Sequence, residues 1–290
     1  MRIHLSEERY DVCHVHFVIP TGEAARWIRL KYHIPYIITA HGSDVEGHNQ
    51  KVSLKIMHRM LRGAWRRIVK CSIGVVAPSE YLMNLMRHNY PQGQYYYIPN
   101  GIELGKYKLL SDKKNKQKSI LVMGRLQKFK GVQFILEAIA KIDLQGWRVD
   151  ILGEGPYRDE LEKISRKLDL SDSVFFRGWI DYGTKEQLDY LKKASIYISA
   201  SQCENCPMSV IEATAAGCYP LLSNILPHRQ LIKSDEYFFD ANDISDLASK
   251  LEKCITEGFD CLDKIPDVSQ YDWNNVIRQY EILLQNTAAQ

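Results

Sequence analysis

The feature that most constrains this chain is a repeated alternation of short apolar runs with amphipathic stretches. The apolar runs are rich in β-branched and aromatic side chains, which is typical of strands buried on both faces. Between them, apolar residues recur at helical spacing. Strands that alternate with helices predict βα units and a parallel sheet, so the fold class is predicted to be α/β.

The first hundred residues are predicted to contain four strands and three helices. The strands are Tyr10–Phe17, Pro35–Ala40, Ile73–Ala77 and Tyr95–Ile98. The helices are Glu23–Lys31, Val52–Lys70 and Ser79–His88. Ser79 is expected to be the N-cap of the last helix, because its hydroxyl can accept a bond from a free N–H of the first turn.

A polar, turn-forming segment from Asn100 to Ser119 interrupts the pattern, and 290 residues favour two cores over one. The predicted domains are residues 1–105 and 106–268, with a last helix in residues 269–290. The predicted strands of the second domain are Ser119–Met123, Trp147–Leu152, Val174–Phe176, Ile196–Ser199 and Tyr219–Leu222. Its helices are Val132–Ile142, Tyr157–Leu168, Lys185–Lys193, Met208–Ala216 and Ile244–Thr256, followed by Trp273–Gln285 at the end of the chain.

Composition excludes several classes of protein. A formal net charge of +3 argues against nucleic acid as a partner, and the apolar runs are too short to span a bilayer. No signal peptide follows Met1, so a soluble, cytoplasmic protein is expected. The seven cysteines indicate reduced core thiols. Cys203 and Cys206 form a lone C-x-x-C, for which a metal or redox role is not favoured.

Basic residues follow the first strand of the second domain. Gly124-Arg125-Leu126 and then Lys130-Gly131 come directly after Ser119–Met123, at the carboxyl edge where α/β folds bind ligands. Two fixed cations at this edge suit a diphosphate, whose charge grows as a glycosidic bond breaks. Alternatively, Arg125 and Lys130 are ordinary solvated loop charges.

Two glutamates flank the start of a predicted helix in the segment 201–217. The backbone N–H groups of Met208, Ser209 and Val210, together with the helix dipole, would form an anion site suited to phosphate. Glu212 could then hold a ribose, and Glu204 the hydroxyls of a sugar, because a carboxylate accepts bonds from two hydroxyls. Otherwise Glu204 is a loop acid and Glu212 a partly buried helical one.

Together these segments resemble the ordered motifs of the retaining glycosyltransferases of family 4. In the second domain the resemblance rests on Gly124-Arg-Leu…Lys130-Gly, Gly153-Glu-Gly155, Phe176-Arg-Gly178 and Glu204…Glu212-Ala. In the first domain it rests on Asp11-Val-Cys-His-Val-His16, His41-Gly-Ser-Asp44, Pro78-Ser-Glu80 and Pro99-Asn-Gly101. It covers nearly the whole chain.

The resemblance implies a GT-B architecture, in which two Rossmann-like domains with parallel sheets face each other across a cleft and the last helix crosses back to the first domain. It implies transfer from a UDP- or GDP-sugar to a glycan or lipid-linked acceptor, with retention of configuration and without a metal or cofactor. The implied catalytic residues are His41, Arg125, Lys130 and Glu204. The implied donor-binding residues are Gly124, Arg125, Lys130, Gly153, Gly155, Gly178, Glu204, Met208, Ser209, Val210 and Glu212.

Among these residues, the resemblance assigns Arg125 and Lys130 to the diphosphate and the loop around Gly178 to the nucleobase. It assigns Glu212 to the ribose and Glu204 to the donor sugar. His41 would face the reacting centre.

The beginning of the chain departs from that family, whose members usually start with further βα units and a glycine-rich loop. The first domain is therefore expected to be incomplete, with an open sheet edge that self-association or a partner covers. An alternative function follows, namely a non-catalytic or partner-dependent nucleotide-sugar-binding subunit. A nicotinamide-dependent oxidoreductase is discounted, because no strand leads into a three-glycine turn.

The helix containing residues 55–70 carries cations at helical spacing beside Trp65 and several aliphatic residues. Such a pattern is compatible with peripheral contact with anionic lipid at the cytoplasmic membrane face. The alternative is an ordinary helix that packs on the sheet and has solvated cations.

Overall fold

The structure is a computed structural model that describes residues 9–48 and 52–289. It divides into two compact units, each with its own sheet. One unit contains the chain up to Gly101 and from Asn274 onward, and the other contains Ile102–Trp273.

The first unit has a parallel sheet with strand order β1-β2-β3-β4. Its strands are β1 (Cys13–His16), β2 (Tyr36–Thr39), β3 (Gly74–Ala77) and β4 (Tyr95–Tyr97), and its first helices are α1 (Thr21–Tyr32), α2 (Val52–Cys71) and α3 (Glu80–Asn89). Ser79 caps α3 by accepting a bond from the N–H of Leu82, as predicted. The first strand begins three residues later than predicted and ends one residue earlier, at His16, because Phe17 takes a left-handed φ of 68° that ends the extended backbone.

The inner face of α2 packs into the first core. Trp65 is buried, stacks on Tyr90 with ring centroids 4.1 Å apart, and donates from Nε1 to the backbone oxygen of Asp44. The alternative given for this helix, in which its apolar residues pack in the core, therefore describes Trp65. Within the described residues no helix is both long and apolar enough to cross a bilayer.

The second unit has six parallel strands in the order β10-β9-β8-β5-β6-β7. The strands are β5 (Ser119–Met123), β6 (Arg148–Leu152), β7 (Val174–Gly178), β8 (Ile196–Ser199), β9 (Tyr219–Ser223) and β10 (Phe238–Phe239). The helices are α4 (Leu104–Lys108), α5 (Val132–Ile139), α6 (Arg158–Lys167), α7 (Lys185–Lys193), α8 (Met208–Ala215), α9 (Leu226–Leu231) and α10 (Ile244–Glu257). The chain moves outward from β5 in both directions, so the crevice at the carboxyl ends of β5 and β8 is the switch point of this sheet.

Three elements of the second unit have no counterpart in the sequence prediction. They are α4, α9 and β10, each six residues or shorter, which is too short for a periodic pattern to emerge. The unit begins at Ile102 because this residue pairs with the end of the same unit: its N–H donates to Tyr271 and its carbonyl accepts from Trp273. The last helix, α11 (Trp273–Ala288), packs in the first unit, where Val276 and Leu283 contact Ile37 and Val76.

Glycines allow the loops at the switch point to touch through their backbones. A Cβ on Gly131 would overlap the carbonyl oxygen of Ala200, after β8, and a Cβ on Gly153 would overlap that of Gly124. The loops after β5, β6 and β8 are therefore held together without intervening side chains.

Gly131→Ala tests this contact against a matched control. Gly131 and Gly146 have φ angles of 72° and 78°, but a Cβ on Gly146 would meet no atom. Both variants carry the cost of a left-handed alanine, and only Gly131→Ala adds the overlap with Ala200. Its free energy of unfolding, measured by urea titration, should therefore fall by about 1–3 kcal/mol more than that of Gly146→Ala. Equal losses would contradict the contact.

Candidate functional site

The largest feature at the switch point of the second unit is a pocket of about 430 Å³. Its lining residues come from the ends of β5, β6 and β7 and from α7 and α8: Met123, Gly124, Arg125, Leu152, Gly153, Trp179, Ile180, Tyr182, Gln187, Met208, Ser209 and Glu212. A concave apolar wall with a few convergent polar groups is the usual form of a small-molecule site.

Two exposed aromatic side chains form one wall of the pocket. Trp179 donates from Nε1 to Asp181 at 2.8 Å, and the hydroxyl of Tyr182 accepts a bond from Tyr107 at 3.1 Å. Lys106 donates to the backbone oxygen of Gly183 at 3.1 Å, so α4 supports this loop at two points. The wall offers flat apolar surface to a planar ligand.

A smaller cavity adjoins the pocket and shares Gly124, Arg125 and Ser209 with it. Here Nζ of Lys130 lies 2.6 Å from Oε1 of Glu204, and both side chains are mostly buried. Arg125 is exposed at the boundary of the two cavities. The predicted residues Arg125, Lys130 and Glu204 are thus brought together, and Lys130 and Glu204 form an ion pair.

Buried polar groups support Glu204 from behind. The hydroxyl of Ser201 donates to Glu204 at 2.7 Å, and the hydroxyl of Ser223 donates to the carbonyl of Ser201 at 2.6 Å. Nδ1 of the buried His228 lies 2.9 Å from the carbonyl oxygen of Ser223, and its Nε2 lies 3.4 Å from the hydroxyl of Ser199. Burial is the main cause that lowers the pKa of His228, so this ring is a neutral support.

Glu212 contributes a buried carboxyl group from α8 to the pocket. Glu212 is only 3% exposed, and this burial raises the pKa of its carboxyl to about 7. The charge of Lys106 acts in the other direction and lowers that pKa. The carboxyl therefore changes charge near neutral pH. When ionised it can accept bonds from two hydroxyls, and when protonated it can also donate one.

The start of α8 differs in part from the prediction. Met208 and Ser209 line the pocket, and the hydroxyl of Ser209 accepts a bond of 2.8 Å from Tyr197. The N–H of Val210 bonds to the carbonyl of Pro207 at 3.1 Å, and Val210 is fully buried. The expectation that Val210 offers a free N–H to an anion is therefore wrong, because the first turn of the helix closes on Pro207.

The predicted glycines fall into two groups. Gly124 and Gly153 line the pocket, where their φ angles of 151° and 142° favour glycine. Gly155 packs its backbone against that of Leu126, and Gly178 lies beside Glu154, outside the lining of the pocket. These two glycines shape the loops around the pocket.

His41 lies in the first unit, at the carboxyl end of β2. Asp44 organises its loop: Oδ1 accepts the N–H groups of His41 and Gly42 at 3.0 Å, and Oδ2 accepts that of Val18 at 2.8 Å. Burial is the largest of the causes that together lower the pKa of His41. His41 therefore belongs to a second polar site, at the sheet edge of the first unit.

Several residues of the site were not predicted from the sequence: Trp179, Tyr182 and Gln187 line the pocket, Ser201 lines the smaller cavity, and His228 is buried near Ser223. An aromatic residue directly after Gly178 at a strand end was the available signal for Trp179. No sequence signal was available for His228, because its hydrogen-bond partners lie on β8 and β9, which are distant in sequence or belong to other elements. No three described His, Cys, Asp or Glu residues come together as a metal site.

Both parts of the chain match known families. Residues 108–265 match the family described as "Glycosyl transferases group 1", and residues 1–106 match "Glycosyltransferase Family 4". Alpha-monoglucosyldiacylglycerol synthase of Streptococcus pneumoniae is 27% identical over 245 residues, which cover 79% of this chain and 55% of that protein. The chain thus spans about half the length of the first curated relatives that it matches.

Solved structures share the fold at low sequence identity. The Anabaena protein HepE in complex with UDP and glucose has a TM-score of 0.76 and 17% identity, over 96% of this chain and 78% of that one. Sucrose-phosphate synthase from Thermosynechococcus elongatus has a TM-score of 0.75 and 18% identity, over 100% of this chain and 77% of that one. These likenesses confirm two parallel-sheet α/β units of the GT-B type.

The buried carboxyl of Glu212 predicts a pH dependence of stability. The pKa of Glu212 in the folded protein is about 7, above the ordinary 4.5, so the folded protein favours the protonated carboxyl. Its contribution to the free energy of unfolding is therefore complete below about pH 4.5 and is lost as the pH rises through about 7. Glu212→Gln removes the titrating group. At about pH 8.5 the variant should be more stable than the native protein by up to about 3 kcal/mol, and the difference should vanish near about pH 4.5.

Urea midpoints measured across this pH range check the prediction. Glu137→Gln, on α5, is the control for loss of a carboxylate outside the pocket. A difference between native protein and Glu212→Gln that does not change with pH would contradict the raised pKa.

Proposed function

The chain belongs to the group 1 glycosyl transferases, and from this membership we propose that it transfers a sugar from a UDP- or GDP-sugar to a glycan or lipid-linked acceptor. The observation that carries the proposal is the contact of Lys130 with Glu204 beside the pocket that contains Glu212. A cation of the kind that binds phosphate and two acids of the kind that bind hydroxyls therefore lie around one crevice, which supports the proposal.

In the proposed complex the phosphates of the donor contact cations, and its hydroxyls contact carboxylates. The diphosphate lies against Lys130, Arg125 and the start of α8, where cations and the helix dipole favour negative charge. Lys130 then exchanges its bond to Glu204 for bonds to phosphate, and the released carboxylate accepts hydroxyls of the sugar. Glu212 accepts the ribose hydroxyls.

The nucleobase is proposed to lie against Trp179 and Tyr182, which supply the flat wall of the pocket. The HepE structure contains UDP, and it shares its fold with this chain. Stacking on an aromatic face tolerates either uracil or guanine. This part of the pocket therefore supports a nucleoside diphosphate donor.

We propose transfer with retention of configuration and without a metal. The bond from the sugar C1 to the diphosphate oxygen breaks, and the acceptor oxygen bonds to C1 on the same face, with its proton passing to the departing diphosphate. Lys130 and Arg125 offset the charge that grows on the leaving group. Transfer is expected to persist in EDTA.

A non-catalytic binding subunit is the less favoured alternative. Curated relatives are named as synthases or transferases, and the donor site described here keeps its cation and both acids. These observations favour an enzyme.

Lys130→Gln and Glu204→Gln are expected to have opposite effects on nucleotide binding. Lys130→Gln removes the cation that binds phosphate and leaves the carboxylate of Glu204 facing the diphosphate. The Kd for UDP or GDP, measured by calorimetry, should therefore rise at least about tenfold. Glu204→Gln releases Lys130, so nucleotide affinity should stay the same or increase while sugar transfer falls.

Lys128→Gln is the matched control, because this exposed lysine lies on the same turn, Lys128–Lys130. It should change neither binding nor transfer. If the native protein binds neither UDP nor GDP, the donor-site proposal is wrong.

We also propose peripheral contact of α2 with anionic lipid. Ile56, Met57 and Met60 project from the outer surface of this helix, and Lys55 and Arg59 are exposed beside them. Apolar side chains flanked by cations match the interface of an anionic bilayer.

Met60→Ser tests the lipid contact. Met60 is 80% exposed, and its insertion would contribute roughly 1.5–3 kcal/mol, so the variant should bind vesicles containing phosphatidylglycerol about 10- to 150-fold more weakly. Leu109→Ser is the control, because Leu109 is 82% exposed but lies at the end of α4 in the other unit. Equal binding of both variants in a sedimentation assay would argue against docking through α2.

A further inference from the structure

His16 lies at the carboxyl end of β1, next to His41. Its Nδ1 is 3.0 Å from Nε2 of His41, and the two rings stack with their centroids 5.2 Å apart. This distance is that of a hydrogen bond between ring nitrogens. Phe17 covers His41 as well, with ring centroids 4.6 Å apart.

The contact between the two histidines constrains their protons. A hydrogen bond between two imidazole nitrogens needs a proton on one nitrogen and a lone pair on the other. While both rings are neutral, the nitrogen that carries the proton on one ring determines which nitrogen carries it on the other.

The rest of the His41 loop is already fixed by other groups. Asp44 holds the backbone N–H groups of His41 and Gly42. The bond to His16 opposes rotation of the His41 side chain.

The charged and titratable groups around His41 include Asp44, His16 and His14. Burial lowers the pKa of His41 most, Asp44 raises it, and His16 lowers it again. His14 is partly buried and has its pKa lowered to about 4 by this burial and by the charges of His16 and His41. Its Nε2 lies 2.9 Å from the hydroxyl of Thr39, which lies 3.1 Å from that of Tyr280.

We propose that His16 is a positioning residue for His41: through the Nδ1···Nε2 bond it holds the orientation of the His41 ring and couples the proton position of His41 to its own. The inference rests on the proposed function and on the role at the reacting centre that the family resemblance implies for His41. A ring held in one orientation presents its nitrogens to the substrate at fixed positions.

Two substitutions of His16 separate the bond from the bulk of the ring. His16→Asn places an amide group near the position of Nδ1, and it stays neutral at every pH. His16→Phe keeps a ring but removes both nitrogens. The ¹⁵N shift of His41 Nε2 should be that of a hydrogen-bonded nitrogen in the native protein and in His16→Asn, and should move to the value of an unbonded ring nitrogen in His16→Phe.

His14→Asn is the matched control on the same strand, because the ring nitrogen of His14 bonds to Thr39. It should leave the ¹⁵N shift of His41 Nε2 unchanged. An unchanged Nε2 shift in His16→Phe would overturn the proposal, and so would the same change in His14→Asn as in His16→Phe.

Kinetics give a second readout that a general loss of structure would not produce. His16→Phe should lower kcat on the order of 10- to 100-fold without changing the KM for the donor, and His16→Asn should restore most of the loss. If both variants are equally slow, the positioning role is wrong. If the native protein transfers no sugar, the proposed function fails, whereas the ¹⁵N shifts still decide the role of His16.

Discussion

Backbone contact between loops is the constraint on which the site of the second unit depends. The loops after β5, β6 and β8 meet at Gly131, Gly153 and Gly155, where any side chain would strike a neighbouring carbonyl group. Because these loops lie so close, a lysine that follows β5 reaches a glutamate that follows β8. The parallel sheet brings the strand ends to one edge, and the glycines bring the loops within hydrogen-bonding distance.

Two charges of the site, those of Lys130 and Glu204, are paired with each other. Lys130 is paired with Glu204, and Glu204 is held by Ser201, which in turn is held by Ser223. An incoming anion therefore competes with a protein carboxylate for the lysine, and the strength of that competition sets part of its affinity. The neutral ring of His228, which contacts Ser223, adds no charge to this ion pair.

The sequence predicted the parts of this arrangement that depend on neighbouring residues. Alternating strands and helices, the cap at Ser79 and the glutamate on α8 all follow from local patterns. The pairing of Lys130 with Glu204 joins positions 74 residues apart, and no local pattern encodes such a contact. Val210 was misjudged because a proline before a helix can close the first turn.

The two units are joined by two chain connections, one near Gly101 and one near Trp273. The first unit is discontinuous in sequence, because α11 returns to it after the second unit is complete. A protease that cuts between Gly101 and Ile102 would leave α11 on the other fragment. The fragment ending at Gly101 would then lack the helix that covers Ile37 and Val76. No single cut can separate the two units in intact form, and their order in the sequence gives the second unit the character of an insertion.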